Sequence, residues 1–166
     1  MTKKNITNIW IRSTNKMRKV FLDTNVVIDF LARRVDFFED SAEILTLAKQ
    51  GSFLVYASSL TFSTASYIMK RHHVGTAVEV RDVIAKFIKN CKVTAVDGLS
   101  VEYATTGAFD DFEDAIQYES ACKAQCDCII TRNSHDFLAS EIPVYEPKAF
   151  LELFEDDNQN GEQEEI

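Results

Sequence analysis

The sequence predicts an α/β protein, a three-layer α/β/α sandwich with a central parallel sheet of about five strands. Three observations lead there. Short apolar, β-prone runs recur along the chain, and each is followed by a stretch whose apolar residues fall at helical spacing. The run Phe53-Leu54-Val55-Tyr56-Ala57 is almost continuously apolar, the mark of a strand covered on both faces. Finally, Val20-Phe21-Leu22 stops at Asp23, and Val26, Val27, Ile28, Phe30 and Leu31 then resume at helical spacing, so a carboxylate falls at a strand-to-helix junction. Ligands gather beyond the carboxyl ends of strands in open α/β sheets. Asp23 is therefore a candidate site residue, beside the simpler reading in which it only caps the next helix.

The 166 residues are one domain's worth, and 46% hydrophobic with 27% charged residues excludes disordered and collagen-like classes. No apolar stretch approaches the ~18 residues of a bilayer span, so no membrane association is expected. Residues 1–19 carry six positive charges and no apolar segment of a secretory signal, which points to the cytoplasm. The expected organisation is a flexible leader over 1–17, with Met17 as an alternative start, a folded domain over 18–154 and an acidic disordered tail over 155–166. The basic leader and the acidic tail offset each other, so residues 20–154 carry the whole net charge of −8. Any nucleic-acid ligand must then be met by local basic patches or by metal ions held on carboxylates. Cys91, Cys122, Cys126 and Cys128 make neither a plausible zinc pattern nor a secreted disulfide framework, and are expected to be buried free thiols.

After the strand ending at Asp23, a helix is expected from about Asn25 to Arg33. A second, over Phe37 to Gln50, has Phe38, Ala42, Leu45 and Ala48 on one stripe and is stopped by Gly51. The second strand, 53–57, leads through the capping residues Ser58 and Ser59 into a helix from about Leu60 to Arg71. That helix ends in Lys70-Arg71-His72-His73, cations that suit a helix C-terminus. Another amphipathic helix, about Thr76 to Lys89, precedes a third strand, Lys92 to Val96, and a short helix near Leu99 to Thr105. Asp110-Asp111-Phe112-Glu113-Asp114 opens a long helix, with acids in its first turn that favour the macrodipole. A fourth strand spans Asp127 to Thr131, a short fifth holds Val144 and Tyr145, and a last helix runs from Lys148 to Phe154. Phe30, Phe37 and Phe38 are expected in the core, with a partner surface as the other reading.

Asp23 after strand one, Asp111 and Asp114 opening a helix, and Asp136 after strand four stand at corresponding junctions, which a parallel sheet brings to one edge. Converging acids repel, and a bound divalent cation is the natural way to hold them ionised. Hard oxygen ligands without a His/Cys set favour Mg²⁺ or Mn²⁺. Such an ion activates water and stabilises in-line attack on a phosphodiester.

Val-Phe-Leu-Asp-Thr-Asn-Val-Val-Ile-Asp-Phe-Leu (20–31), Ser-Leu-Thr-Phe (59–62), Asp-Phe-Glu-Asp-Ala-Ile-Gln (111–117) and Ile-Ile-Thr-Arg-Asn-Ser-His-Asp-Phe (129–137) resemble, in order and spacing, the successive motifs of PIN domains. The resemblance covers about residues 18–152. It implies a PIN-like fold and a Mg²⁺- or Mn²⁺-dependent endoribonuclease of the VapC toxin type, with an RNA substrate and a small antitoxin partner; a homodimer is a possible further partnership, the oligomeric state being open at this point. Asp23 matches the family's first metal-binding acid and Asp114 the third. Thr64 stands where the second acid is expected, and Asn133 where the fourth is, leaving Asp136 as the nearest carboxylate. The resulting assignment gives Asp23, Asp114 and Asp136 catalytic roles and adds Asp111 to them as metal ligands. Thr24, Asn25, Thr64 and Asn133 would steady these acids or their water by hydrogen bonds. Arg132, Lys70 and Arg71 are candidates for phosphate contact, and Glu43 or Glu113 for compensating the missing acids. The alternative, which Thr64 and Asn133 favour, is a catalytically degenerate PIN-like domain that binds RNA or protein. A haloacid-dehalogenase-like phosphatase ranks lower, since that chemistry wants an acid where Asn25 stands.

Overall fold

The structure, a computed structural model, describes residues 17–161; the leader therefore lies almost wholly outside the described residues. Five strands, β1 (Lys19–Leu22), β2 (Leu54–Ser58), β3 (Cys91–Thr94), β4 (Cys128–Ile130) and β5 (Val144–Tyr145), form one sheet in the order β3-β2-β1-β4-β5. Every neighbouring pair is parallel, with Phe21 opposite both Tyr56 and Ile129. Helices α1 (Thr24–Leu31), α2 (Phe38–Lys49), α3 (Ser59–Arg71), α4 (Ala77–Phe87), α5 (Gly98–Ala104), α6 (Phe112–Lys123) and α7 (Pro147–Gly161) complete the described fold, with a 3₁₀ turn at Ser134–Phe137. The expected sandwich is the observed architecture.

The sheet winds outward from β1 through β2 to β3, and β4 and β5 then add on the other side of β1. The direction of winding thus reverses between β1 and β4, and the crevice beyond their carboxyl ends is where such folds bind ligands. Side-chain alternation divides the core in two. Val20, Leu22, Val55, Ala57, Cys128 and Ile130 pack with residues of α1, α2, α3, α4 and α7, whereas Phe21 and Ile129 pack with Ala104, Ala115, Ile116 and Ala121 of α5 and α6. The central strand is buried on both faces and holds its last residue, and Asp23 after it, rigidly.

Four details differ from expectation. β3 stops at Thr94 rather than Val96 because the Val96 N–H leaves the ladder and donates to Ser59 Oγ at 3.2 Å. β4 is shorter by a residue at each end: Asp127 turns its carboxylate to the Lys19 N–H at 2.7 Å, and Thr131 turns its hydroxyl to Asp23. α7 runs on past Phe154 to Gly161, into the segment read as a disordered tail, since residues 155–160 contain neither Pro nor Gly to stop it. Cys91, Cys126 and Cys128 are buried free thiols, but Cys122 is exposed: one step along α6 from the buried Ala121 turns it some ~100° towards solvent. Gly51 ends α2 as expected, at φ +91°, where a Cβ is strained.

Candidate active site

Asp23 caps α1 and does more. Its backbone is extended, its own N–H donates to Ile130 O at 3.0 Å, and its Oδ1 accepts from the Thr24 N–H at 2.6 Å. Oδ2 accepts from Asn25 Nδ2 and from Thr131 Oγ1, each at 2.7 Å. Those bonds fix the carboxylate to both central strands, and only 4% of the residue is exposed. Burial nevertheless pushes its pKa up to about 6, with the Thr131 and Thr24 hydrogen bonds opposing and Glu113 adding to the rise. Asp23 is thus the cap of α1, and its side chain also reaches the cleft described below.

A polar layer lies beneath it. Thr24 Oγ1 accepts from Gln117 Nε2 at 2.7 Å, donates to Glu113 Oε1 at 3.0 Å and lies 3.2 Å from Thr61 Oγ1. Thr61 in turn meets Ser58, whose Oγ caps α3 through the Thr61 N–H. Ser58, Thr61 and Gln117 are wholly buried, so α1, α3 and α6 are tied together by satisfied polar groups rather than by apolar packing alone.

Above this layer a cleft of about 510 Å³ opens, lined by Asp23, Asp111, Glu113, Asp114 and Asp136, with Thr24, Asn25, Thr64 and Asn133. All the acids expected in the site are there. Asp111 caps α6, its Oδ1 accepting from the N–H groups of Glu113 at 2.7 Å and Asp114 at 3.1 Å. Asp114, on the first turn so formed, has its pKa pushed up to about 7 by partial burial and then by Asp23, Asp111, Asp136 and Glu113. Asp136 comes from the 3₁₀ turn after β4 and, like Asp111, is exposed, with 42% of its side chain open to solvent. Among the described residues, no three His, Cys, Asp or Glu side chains form a ready-made metal-binding group. The acids ring the cleft without meeting at one point. Their chemistry fits a hard cation all the same: five carboxylates line one cleft, Asp23 is buried, Asp114 is raised in pKa by partial burial and then by its acidic neighbours, and among the described residues the lining has a single cationic side chain, Arg34.

The basic candidates fare differently. Arg132 gives its guanidinium to Asp29, with Nε 2.7 Å from Oδ2, and lies over the Phe37 ring at 4.2 Å, so it is occupied and does not line the cleft. Its backbone N–H still serves the site by donating to Asn25 Oδ1 at 3.1 Å, which orients the Asn25 amide towards Asp23. Lys70 and Arg71 lie in the last turn of α3, beyond Ile68 of the cleft wall, and Arg71 donates to the Tyr67 hydroxyl at 3.0 Å. Glu43 is exposed on α2 and outside the cleft. Sequence reasoning missed Asp29, Arg34 and Gln117. Asp29 left a signal, a carboxylate inside the apolar run of α1, which needs a cationic partner when buried.

A model of the PIN domain matches residues 19–135. The chain belongs to the PIN-domain family. Solved structures similar to this PIN domain include VapBC2 from Rickettsia felis bound to a promoter DNA fragment, at 15% identity and TM-score 0.56 over 77% of this chain and 97% of that one. A toxin–antitoxin complex from Klebsiella pneumoniae matches at 22% identity and TM-score 0.55 over 77% and 97%. VapC20 from Mycobacterium tuberculosis, described as a sarcin–ricin loop cleaving toxin, matches at 14% identity and TM-score 0.53 over 66% and 86%. At these identities the likeness is one of fold. No curated protein matches the chain. Among the described residues of this PIN domain, no helix is long and apolar enough to cross a membrane.

The aromatic residues of the first helices are divided in role. Phe30 and Phe38 stack at 5.7 Å and wall an apolar groove of about 400 Å³ with Leu45, Val83 and Phe87, while Phe37 stays exposed beside Arg132.

Proposed function

We propose that this PIN domain is a Mg²⁺- or Mn²⁺-dependent endoribonuclease, the toxin of a toxin–antitoxin pair, acting in the cytoplasm. One observation carries the reading: a buried aspartate at the end of the central strand, with further carboxylates converging on the same cleft at the switch point of the sheet. Asp23, Asp114 and Asp136, with Asp111 beside them, would hold the ion. Bound there, a divalent ion would lower the pKa of water and stabilise charge developing on a phosphodiester. The chain's own part is positional. Thr131 and Asn25 aim one oxygen of Asp23, the Asp111 cap sets Asp114 on the rim, and Thr64 and Asn133 offer neutral hydrogen-bonding groups to water or phosphate. The toxin assignment draws support from neighbours described as toxin–antitoxin complexes, and the apolar groove between α1, α2 and α4 offers a surface for a small antitoxin.

The rival reading, a degenerate binding module, is favoured by the neutral Thr64 and Asn133 and by the absence of a ready-made ligand group among the described residues. A calorimetric Mn²⁺ titration beside Asp23→Asn, followed by RNA cleavage under the same conditions, separates the two. Binding and cleavage that both vanish in the variant are the expected result. No binding by the unaltered protein overturns the nuclease reading in favour of the module.

A further inference from the structure

We propose that Glu113 is a metal ligand of this site and supplies the negative charge that Thr64 does not; the proposal rests on the nuclease reading above. Thr64 lines the cleft from α3 as a neutral hydroxyl, and Asn133 lines it as a neutral amide. Asp23, Asp111, Asp114 and Asp136 line the same cleft, but α3 and the Asn133 position add no charge to it. Affinity for a hard cation follows the number of charged oxygen ligands.

Among the described residues, Glu113 is the only glutamate lining the cleft. It arrives from the first turn of α6, next to Asp114, with its backbone N–H fixed on the Asp111 cap at 2.7 Å. Its side chain is half-buried and is aimed by one hydrogen bond, Thr24 Oγ1 donating to Oε1 at 3.0 Å. Thr24 is itself immobilised by Gln117 Nε2 at 2.7 Å and by Thr61. The carboxylate is thus aimed from the polar layer below, as Asp23 is held by Asn25 and Thr131. Among the described residues Oε2 accepts no hydrogen bond and no Lys, Arg or His pairs with Glu113, although the group faces Asp23 and Asp114 closely enough to act on both. The only cation of the lining among the described residues, Arg34, is paired with Asp29. A glutamate needed only as a partner for the Thr24 hydroxyl has no reason to sit among like charges; a glutamine would accept the same bond without repulsion. A bound cation removes that repulsion and gives Oε2 its partner.

The test is Mn²⁺ titration calorimetry on the full chain and four variants, with circular dichroism confirming the fold of each. Glu113→Gln keeps an acceptor for Thr24 and removes the charge; affinity is expected to fall about tenfold or more, in the range lost when groups of a metal site are removed. Thr64→Glu in the Glu113→Gln background is expected to recover most of that loss, which a merely structural role for Glu113 does not predict. Glu43→Gln, outside the cleft, serves as the control and should bind as the parent does. Binding by the parent that vanishes in Asp23→Asn but is unchanged in Glu113→Gln overturns the role of Glu113 and leaves the nuclease reading intact. Absence of binding by the parent overturns both.

Discussion

Taking the metal-free protein from acid to neutral pH should destabilise it through Asp23, and the size of the effect can be worked from its burial. The folded-state pKa of about 6 lies above the ordinary 3.8, so the folded protein holds a proton that the unfolded chain has released across that interval. A carboxyl raised in this sense stabilises the fold in acid and loses its contribution as pH rises through the folded value. Between about pH 5 and pH 7.5 the loss from this one group is on the order of 1–2 kcal/mol, equivalent to roughly a few degrees in melting temperature for a domain of this size. Asp114, raised in the same direction, adds to it. Exposed acids with lowered values, Glu79 and Asp97, work oppositely, so the informative quantity is the difference between the parent and Asp23→Asn, in which their contributions cancel. Thermal melts in EDTA at half-unit steps should show the parent losing stability relative to the variant as pH rises. Millimolar Mn²⁺ should reverse the trend for the parent alone, because a cation favours the ionised carboxylates. A parent-minus-variant difference that stays flat across the interval refutes the claim that Asp23 is held as a buried, destabilised carboxylate.

Other perturbations test the supports of the site. Thr131→Val removes the hydroxyl that donates to Asp23 Oδ2, and Mn²⁺ affinity by calorimetry should fall about tenfold to hundredfold with the fold retained. Asp29→Ala leaves Arg132 without its buried partner and should cost about 1–3 kcal/mol in urea unfolding, while disturbing the Arg132 N–H bond that orients Asn25. Phe21→Ala opens a void in the centre of the sheet and should cost about 3–5 kcal/mol by the same measurement.

How much of this was legible depended on whether the signal was local. The run 20–22 ending at Asp23 announces itself because an apolar strand, a stop and a helical spacing are contiguous in sequence. The first turn of α6 is legible for the same reason, since Asp111 as a cap and Asp114 three residues on are a local pattern. Their convergence with Asp136 followed from parallel topology alone. By contrast, the phosphate role given to Arg132 rested on its charge and position, and nothing nearby announced that Asp29, about a hundred residues earlier, would take its guanidinium. Gln117 looked like an ordinary residue of an amphipathic helix, and only the fold shows its amide beneath Thr24. The end of α7 is not legible in the same way: acidic composition points to a solvated tail, whereas the helix continues to Gly161 because no helix breaker intervenes before it.

The way the acids are mounted bears on which of the two functional readings is the better. Three helices, α1, α3 and α6, start at this edge of the sheet, and their caps, Asp23, Ser58 and Asp111, bring three N-termini towards the cleft. Each N-terminus favours nearby negative charge by about 0.3–1 kcal/mol, and the Thr24, Thr131 and Asn25 donors add to that. Those dipoles and hydrogen bonds do not suffice, for Asp23 still rises to about 6 and Asp114 to about 7. A module that only grips RNA gains nothing from gathering carboxylates where a phosphate would lie, since they repel it and strain the fold at neutral pH. A divalent cation turns the same arrangement from a liability into a binding site, which is why the charge balance of the cleft favours the metal-dependent enzyme over the degenerate domain.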